Sequence, residues 1–386
     1  MQHTVLHMFA DLAPGGEELQ VLTLVQGLDR SRWRSVVCTA RGGMLEDRFR
    51  AEASLHIVGK GKGVDLRTPI RIRKLIDAIQ PDIVHTHLST MNTWSRIAVG
   101  MKPWDRPIVI AHEGNVELWK KWYHILPDRA LMPLTDVVCG VSTAVARYIV
   151  NEHGLPEHKV RVLHNGIDLS RSQKNLKASP EARSSHRREL GLSDDDFVIG
   201  HIGRPAPQKG LEVLAKIMTR VKEVRPRAKF LRVSQPPLPA EEPFGRQFDE
   251  DVRRLGLEDT LVRHPFTMEI SDALMVMDAL VQTSHFEGLG NAVIEAMSME
   301  VPVVVTAAGG TQDVVIHGDC GWMRPVGDVE GLAEGLVYIM DNPEAAGKWG
   351  VAGRERAESK FSAEAYVQRT ADLYEELLSA RERKSS

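Results

Sequence analysis

Short β-rich runs alternate with longer helical patterns along most of this 386-residue chain, and this alternation constrains the fold more than any other feature. Strands that are separated by helices pair in parallel, and the resulting sheet is buried on both faces. In the first part of the chain, six runs predict strands: 4–9, 35–39, 83–86, 108–111, 137–141 and 160–164. Three stretches between them predict helices: 17–26, 69–79 and 142–151. The sequence therefore predicts an α/β domain built on a doubly wound parallel sheet.

The alternation stops once and then resumes. Between Asn165 and Pro180 the chain is polar and has no strand pattern, which is typical of a linker. The second series has predicted strands at 197–202, 230–233, 261–263, 279–282 and 301–306, and predicted helices at 211–224, 291–299 and 329–340. The expected organisation is a first domain over 1–170, a linker over 171–190, a second domain over 191–362 and a final helix over 363–386, which could pack back on the first domain. The expected fold class is α/β, with two Rossmann-like doubly wound domains facing a central cleft.

Composition and charge exclude several classes of protein. The chain has 49 Lys and Arg against 52 Asp and Glu, a formal net charge of −3, which argues against a nucleic-acid partner. Three cysteines without a CxxC pair exclude a disulfide scaffold and a zinc ribbon, and they suit a reducing compartment. The sequence has neither a secretory signal pattern nor eighteen consecutive apolar residues. We therefore expect a cytoplasmic protein, at most peripheral on the inner membrane face.

The loop from Ser284 to Glu295 carries the strongest functional signal. In open parallel sheets, ligands bind in loops at the carboxyl ends of strands, and this loop leads from a predicted strand into a predicted helix. Gly288 and Gly290 allow close backbone approach, and the helix start offers N–H groups to an anion. Glu287 and Glu295 would repel a phosphate, so they are expected to accept hydrogen bonds from sugar or ribose hydroxyls. The alternative is that Glu295 only stabilises the helix and that the glycines only form a turn.

A second loop, Gly203 to Gly210, joins a predicted strand to a predicted helix in the same domain. Arg204 and Lys209 place two cations beside a helix N-terminus, which suits a diphosphate. The alternative is a solvated loop with two surface charges.

These loops carry a family resemblance. Glu287 and Glu295 resemble the E-x7-E motif of the retaining GT-B glycosyltransferases of glycosyltransferase family 4, and Arg204 and Lys209 resemble its G-R-x4-K-G motif. Further similar motifs follow the same order in the first half: Pro14-Gly-Gly-Glu17, Asp82-Ile-Val-His-Thr-His87, Val141-Ser142 and Asn165-Gly-Ile-Asp168. One departure is Ser234-Gln-Pro-Pro-Leu-Pro239, where the family often has a Gly-x-Gly loop near the nucleotide. The stretch from there to Phe248 is expected to be mobile.

The resemblance implies roles for individual residues. Arg204 and Lys209 would hold the donor pyrophosphate, Glu295 the ribose hydroxyls, and Glu287 the donor sugar near the reacting carbon. His112 matches a family histidine near the donor sugar. The implied catalytic residues are Glu287, Arg204, Lys209 and His112. The implied donor-binding residues are Gly16, Gly203, Arg204, Lys209, Glu287, Gly288, Leu289, Gly290, Asn291 and Glu295.

The function expected from this resemblance is transfer of a sugar, with retention, from a nucleotide-diphosphate sugar to an acceptor hydroxyl in glycan, glycolipid or natural-product biosynthesis. UDP sugars are favoured over GDP sugars, and no metal or other cofactor is expected. The acceptor stays open. Two alternatives are a nucleotide-sugar epimerase of the same architecture and a non-catalytic subunit that binds nucleotide sugars or glycans.

Two weaker signals lie in the first domain. His85 and His87 point to one strand face and could form a metal site with His112, but the sequence shows no carboxylate or cysteine at a convincing ligand spacing. Arg67, Arg71, Arg73 and Lys74 make one predicted helix basic. Such a helix is usually a solvated face, and the alternative is peripheral contact with a membrane.

Overall fold

The chain folds into two compact units. The computed structural model describes residues 2–13, 15–59, 65–87, 89–104, 106–116, 122–170, 175–176, 178–264 and 270–385. The first unit consists of Met1–Gly166 together with Ala363–Ser386, and the second consists of Ile167–Ser362. The first unit therefore contains both ends of this chain, and the last helix belongs to it.

The first unit is built on a seven-stranded sheet in which every pairing is parallel. Its strands are β1 (His3–Phe9), β2 (Trp33–Thr39), β3 (Ser54–Ile57), β4 (Ile83–His87), β5 (Ile108–Glu113), β6 (Val137–Gly140) and β7 (Val160–Val162). Its helices before the second unit are α1 (Gly16–Gly27), α2 (Glu46–Glu52), α3 (Arg67–Ile79), α4 (Ser89–Gly100), α5 (Trp122–Ala130) and α6 (Thr143–Asn151). The strand order β3-β2-β1-β4-β5-β6-β7 reverses direction between β1 and β4. This reversal creates a crevice at the carboxyl ends of those two strands.

The second unit has six parallel strands in the order β10-β9-β8-β11-β12-β13. They are β8 (Phe197–Ile202), β9 (Ala228–Val233), β10 (Leu261–His264), β11 (Ala279–Gln282), β12 (Val303–Thr306) and β13 (Trp322–Arg324). The helices are α7 (Pro180–Glu189), α8 (Leu211–Val224), α9 (Glu242–Arg254), α10 (Ile270–Met275), α11 (Asn291–Ser298), α12 (Thr311–Val314), α13 (Val329–Asp341) and α14 (Pro343–Phe361). The order reverses between β8 and β11, so a ligand crevice is expected between the loops that follow these strands.

The last helix, α15 (Ala363–Ser385), covers one face of the first sheet. Its Tyr366 and Tyr374 are fully buried in a cluster with Val5, Ile83 and Ile110. On the opposite face, a separate cluster joins the alternate strand residues with α3 and α4. Because both faces are covered, the central strands are buried along most of their length and are mainly apolar, which is why they were predictable from the sequence.

Two helices form where the sequence indicated irregular chain. The second half of the expected linker is α7, which begins after Ser179 as a side-chain N-cap and has Pro180 in its first turn. Arg183 and Arg187 of this helix both donate to Asp278, at 2.6 and 2.7 Å, so α7 belongs to the second unit. Residues 180–189, which the sequence placed in the linker, thus form a helix of the second unit.

The second such helix is α9, within the stretch that was expected to be mobile up to Phe248. Its Phe248 and Val252 are buried in the core of the second unit, and the guanidinium of Arg232 lies 5.3 Å from the Phe248 ring centroid. The polar composition hid this amphipathic helix, because only one narrow face of it is apolar.

Strands β3 and β13 were also missed. Both are short strands at the edge of a sheet and are partly exposed, so neither has the continuous apolar run of a central strand. Among the described residues, no helix combines the length and the apolar character that crossing a membrane requires.

Candidate active site

The two loops with the strongest sequence signals lie side by side in the second unit. They follow β8 and β11, the neighbouring strands at which the sheet order reverses. The backbone N–H of His285 donates to the carbonyl oxygen of Gln208 at 2.8 Å, and the Thr283 hydroxyl donates to the carbonyl oxygen of Lys209 at 2.9 Å. The fold therefore brings Arg204, Lys209 and Glu287 to one crevice.

Glycine begins both helices that face this crevice. Gly210 precedes α8 with φ +60°, and a Cβ atom there would lie 2.2 Å from the Thr283 carbonyl oxygen. Gly290 precedes α11 with φ +99°. Neither helix start has a side-chain cap, so N–H groups at both helix starts lack that partner and can bind an anion.

The Glu287 carboxylate is the best-connected polar group of the site. Its Oε1 accepts from Lys209 Nζ at 2.7 Å, from Gln282 Nε2 at 2.6 Å and from Ser284 Oγ at 2.5 Å. The Glu287 side chain is only 9% exposed. A buried carboxylate needs such donors to offset its lost hydration, so these contacts fix its position at the floor of the crevice.

Arg204 also has an anionic partner in the free protein. One of its terminal nitrogens lies 3.0 Å from Glu241 Oε1, and its side chain is 38% exposed. The other Glu241 oxygen accepts from the backbone N–H of Leu238 at 3.0 Å. Glu241 thus connects Arg204 to the proline-containing segment that departs from the family pattern.

Most of the other predicted donor-binding residues of the second unit lie in the loop before α11 or in α11 itself. Gly288 is partly exposed, Leu289 and Gly290 are buried, and Asn291 and Glu295 are partly exposed on the helix. The loop is anchored from β12, because the N–H of Glu287 donates to Ala308 O at 3.2 Å and the N–H of Gly310 donates to Glu287 O at 2.9 Å. Gly203 directly follows β8, and a Cβ atom at this position would lie 3.3 Å from Cε of Lys209.

The two predicted residues of the first unit lie at the carboxyl ends of its strands. Gly16 is exposed at the first position of α1, whereas His112 lies in β5 and is fully buried. Pro14, which begins the motif that contains Gly16, lies outside the described residues. Burial lowers the pKa of His112 to about 4, so its imidazole is neutral near pH 7. His112 stacks on His85 with the ring centroids 5.6 Å apart.

Sequence reasoning missed three side chains that shape the site: Glu241, Gln282 and Ser284. Gln282 and Ser284 flank the end of β11, and two polar residues there are a signal that could have been used. No local sequence pattern indicated Glu241, because Arg204 lies in the connection after β8 whereas Glu241 lies in the connection after β9.

Two family models match the chain in succession. The model described as Glycosyltransferase Family 4 matches residues 14–171, and the one described as Glycosyl transferases group 1 matches residues 182–356. Among curated proteins, the capsular polysaccharide biosynthesis glycosyltransferase CapM of Staphylococcus aureus is 27% identical over 271 residues, covering 68% of this chain and 67% of CapM. A UDP-Gal:alpha-D-GlcNAc-diphosphoundecaprenol alpha-1,3-galactosyltransferase of Escherichia coli is 25% identical over 290 residues, covering 72% of this chain and 71% of that enzyme.

Solved structures agree on the fold. Anabaena HepE in complex with UDP and glucose superposes with a TM-score of 0.81 at 20% identity, covering 96% of this chain and 98% of HepE. A glycosyltransferase from Rickettsia africae superposes with a TM-score of 0.84 at 18% identity, covering 98% of this chain and 99% of the other.

The fold and these matches define the class of the protein as a glycosyltransferase of GT-B type. More narrowly, the first domain matches the model of glycosyltransferase family 4, and the second domain matches the model of glycosyl transferases group 1. The resemblance of the chain to family 4 glycosyltransferases is thereby confirmed. The predicted fold class is confirmed.

Proposed function

We propose that the protein transfers a sugar, with retention of anomeric configuration, from a nucleotide-diphosphate sugar to an acceptor hydroxyl in glycan, glycolipid or natural-product biosynthesis. The observation that carries the proposal is the meeting of Arg204, Lys209 and two glycine-capped helix starts around Glu287. UDP is the favoured nucleotide, since HepE binds UDP and the E. coli relative has a UDP sugar in its name.

The arrangement suits stabilisation of a leaving diphosphate. As the bond to the sugar breaks, negative charge grows on the phosphate oxygens, and the cations and helix N–H groups of the crevice stabilise that charge. Arg204 can bind in a bidentate fork, and Lys209 can act as a point charge. We therefore propose that transfer needs no metal bound to the donor.

The contacts of Glu287 favour attack by the acceptor from the leaving-group face over a double displacement. Three donors share Oε1 of Glu287, and each of them lowers the nucleophilicity of that oxygen. In this role Glu287 orients the donor sugar, Glu295 binds the ribose, and a phosphate oxygen takes the acceptor proton. A trapped glycosyl-Glu287 adduct, detected by mass spectrometry of a denatured reaction mixture, would contradict this mechanism.

Removal of Arg204 tests the diphosphate site directly. We expect Arg204→Ala to lower kcat by ~10²-fold, by analogy with the loss of one donor from an oxyanion hole. The control is Arg227→Ala, which removes a guanidinium that is 74% exposed and lies on the surface of the same unit. Turnover is measured as nucleoside diphosphate released in the presence of an acceptor mixture. Near-normal turnover in Arg204→Ala would exclude Arg204 from the mechanism.

Product analysis separates this proposal from its two rivals. A nucleotide-sugar epimerase would convert the donor without any acceptor, whereas a binding subunit would leave every donor intact. A transferase yields nucleoside diphosphate and a glycosylated acceptor in equal amounts.

We further propose that the protein works in the cytoplasm and docks peripherally on the inner membrane face through the start of α3. Leu66 and Ile70 are 72% and 47% exposed, and Arg67 and Lys74 are exposed beside them. The other two cations of this helix are used internally: Arg71 donates to the carbonyl oxygen of Gly59 at 2.6 Å, and Arg73 is buried and paired with Asp77. The basic surface is therefore smaller than the sequence suggested.

Vesicle binding tests this docking. The intact chain should cosediment with vesicles that contain anionic lipid and not with neutral ones, because cations near the surface supply the attraction. Reversing Arg67 and Lys74 to glutamate should abolish cosedimentation, while Arg188→Glu, on α7 of the other unit, should leave it unchanged. Equal binding by all three proteins would reject α3 as the docking segment.

A further inference from the structure

Three histidines occupy the crevice of the first sheet, at the strand pair where its order reverses. His7 of β1 is the register partner of His85 of β4, and His87 follows two residues later on the same face of β4. Toward the amino ends of the strands, this face continues with Val5 and Ile83 and is covered by α15. The three imidazoles are thus mounted on two directly paired strands, which is a rigid support.

All three side chains are fully buried, and most of their nitrogens lack partners. Both ring nitrogens of His7, Nε2 of His85 and Nε2 of His87 have no hydrogen-bond partner among the described residues. A buried polar atom without a hydrogen-bond partner lowers the stability of the fold. Several such atoms in one cluster therefore indicate that a ligand from outside the chain binds there.

The remaining nitrogens of the two β4 histidines are held by neighbouring helices. His87 Nδ1 lies 2.9 Å from the Glu17 carboxylate of α1, and His85 Nδ1 lies 2.7 Å from the Tyr374 hydroxyl of α15. A histidine that binds a metal through one nitrogen characteristically donates the other N–H to a carboxylate or another oxygen acceptor. Here the two outer contacts occupy Nδ1 of both rings and leave Nε2 of each ring as the nitrogen available to a metal.

We propose that His7, His85 and His87 bind one divalent transition-metal ion of the Zn²⁺ class, with Glu17 and Tyr374 as positioning residues. One ligand atom from each histidine can be chosen so that all three lie within 4.8 Å of one another. Zinc–nitrogen bonds of ~2.0–2.1 Å in tetrahedral geometry bring such atoms to ~3.4 Å, so side-chain shifts of about 1 Å complete the site. Imidazole ligands suit Zn²⁺, Cu²⁺ and Ni²⁺ better than Mg²⁺ or Ca²⁺.

A second triad, Glu17, His87 and His112, meets the same distance criterion and shares His87 with the first. Because His87 belongs to both triads, the cluster takes a single ion. The His112 ring centroid lies 5.6 Å from that of His85 and 5.5 Å from that of His87, which makes His112 the candidate fourth ligand.

The cluster joins four elements of the first unit: His7 lies on β1, His85 and His87 lie on β4, and Glu17 and Tyr374 come from α1 and α15. The bound ion would connect β1 and β4 directly, and α1 and α15 through the outer contacts, so its role is to stabilise the first unit.

The test uses the full chain without a histidine tag, stripped with a chelator and then dialysed against Zn²⁺ or Co²⁺. We expect one ion per chain by elemental analysis, and a visible Co²⁺ spectrum of the intense tetrahedral type. His87→Gln and His7→Gln should each weaken binding by at least ~100-fold. The matched control is His201→Gln in the second unit, since His201 is also fully buried without partners on either nitrogen but belongs to neither triad. It should bind as the unaltered chain does.

The Glu17→Gln variant distinguishes metal bound at the histidine cluster from metal bound nonspecifically at the protein surface. This change keeps an acceptor for His87 but removes the charge, and it should weaken Zn²⁺ binding by ~10- to 100-fold while the far-ultraviolet circular dichroism stays unchanged. Two results would overturn the proposal: a folded unaltered chain that takes up no stoichiometric metal, as expected if internal water satisfies the imidazoles, or equal uptake by His87→Gln, His7→Gln and the unaltered chain.

Discussion

The two cations of the candidate active site are already paired with carboxylates in the free protein. Lys209 pairs with Glu287 at 2.7 Å, and Arg204 pairs with Glu241 at 3.0 Å. A donor diphosphate must therefore compete with these carboxylates for the cations. The two pairs differ in strength of attachment. The Glu287 carboxylate also accepts from two neutral donors, whereas the Glu241 carboxylate otherwise accepts only from the Leu238 N–H among the described residues.

Neutralising Glu241 should therefore tighten nucleotide binding. Glu241→Gln keeps an acceptor for Leu238 and releases Arg204. Because Arg204 is 38% exposed, solvent screens the pair, so we expect UDP to bind up to ~5-fold more tightly, corresponding to about 1 kcal/mol. Titration calorimetry measures this, with Glu242→Gln as the control, since the neighbouring Glu242 pairs with Arg246 on the surface. Weaker binding in Glu241→Gln would instead assign Glu241 to the donor contacts.

At the scale of elements, backbone conformation decides how closely the two loops can approach. Gly210 directly precedes α8 in the left-handed region, at the point where the carbonyl of Thr283 passes, so the loop after β8 can hydrogen bond to the loop after β11. A side chain at this position would push the loops apart. The close approach of the two loops thus depends on Gly210, which has no side chain.

The Gly210→Ala variant separates this close approach from ordinary backbone strain. Gly256 has nearly the same φ, +63°, and no atom lies within 4 Å of its would-be Cβ. Gly256→Ala should therefore lower the free energy of unfolding by about 1–2 kcal/mol from strain alone. Gly210→Ala should lower it by at least ~2 kcal/mol more, because its Cβ overlaps the Thr283 backbone. Urea unfolding of the two variants measures the difference, and equal losses would show that the loops can separate without cost.

For the whole molecule, the main consequence of the topology is that the first unit is discontinuous in sequence. The chain leaves it at Gly166 and returns at Ala363. Helix α15 then packs Tyr366, Leu373 and Tyr374 against the first sheet. The folding of the first unit therefore depends on residues that are nearly 200 positions away from its other parts.

A chain ending at residue 362 should lose the stable fold of its first unit, because removal of α15 exposes the apolar face that contains Val5, Ile83 and Ile110. Limited proteolysis should cleave 1–166 rapidly while the second unit stays resistant. The matched control ends at residue 380 and keeps the buried part of α15, so its protease resistance should resemble that of the full chain. A resistant first unit in the shorter chain would contradict the assignment of α15 as part of its core.

The sequence by itself determined the α/β class, the central strands of both sheets, and the two loops that enter α8 and α11. These features are local: burial on both faces makes a parallel strand mainly apolar, and a glycine between a strand and a helix signals a turn. The resemblance of Arg204, Lys209, Glu287 and Glu295 to family motifs is also a matter of spacing along one chain. For this reason the family and the candidate loops were predictable.

Only the tertiary structure decided which distant residues meet. Glu241 reaches Arg204, Tyr374 reaches His85, and Glu17 reaches His87 because of strand register and helix packing, which no periodicity along the chain encodes. The histidine cluster shows this most clearly, since the sequence lacked a carboxylate at convincing spacing, and the fold supplies one from a helix 70 positions away. The physical reason is that local patterns record whether a side chain is buried, while its partners are chosen by the register of the sheet and the placement of its covering helices.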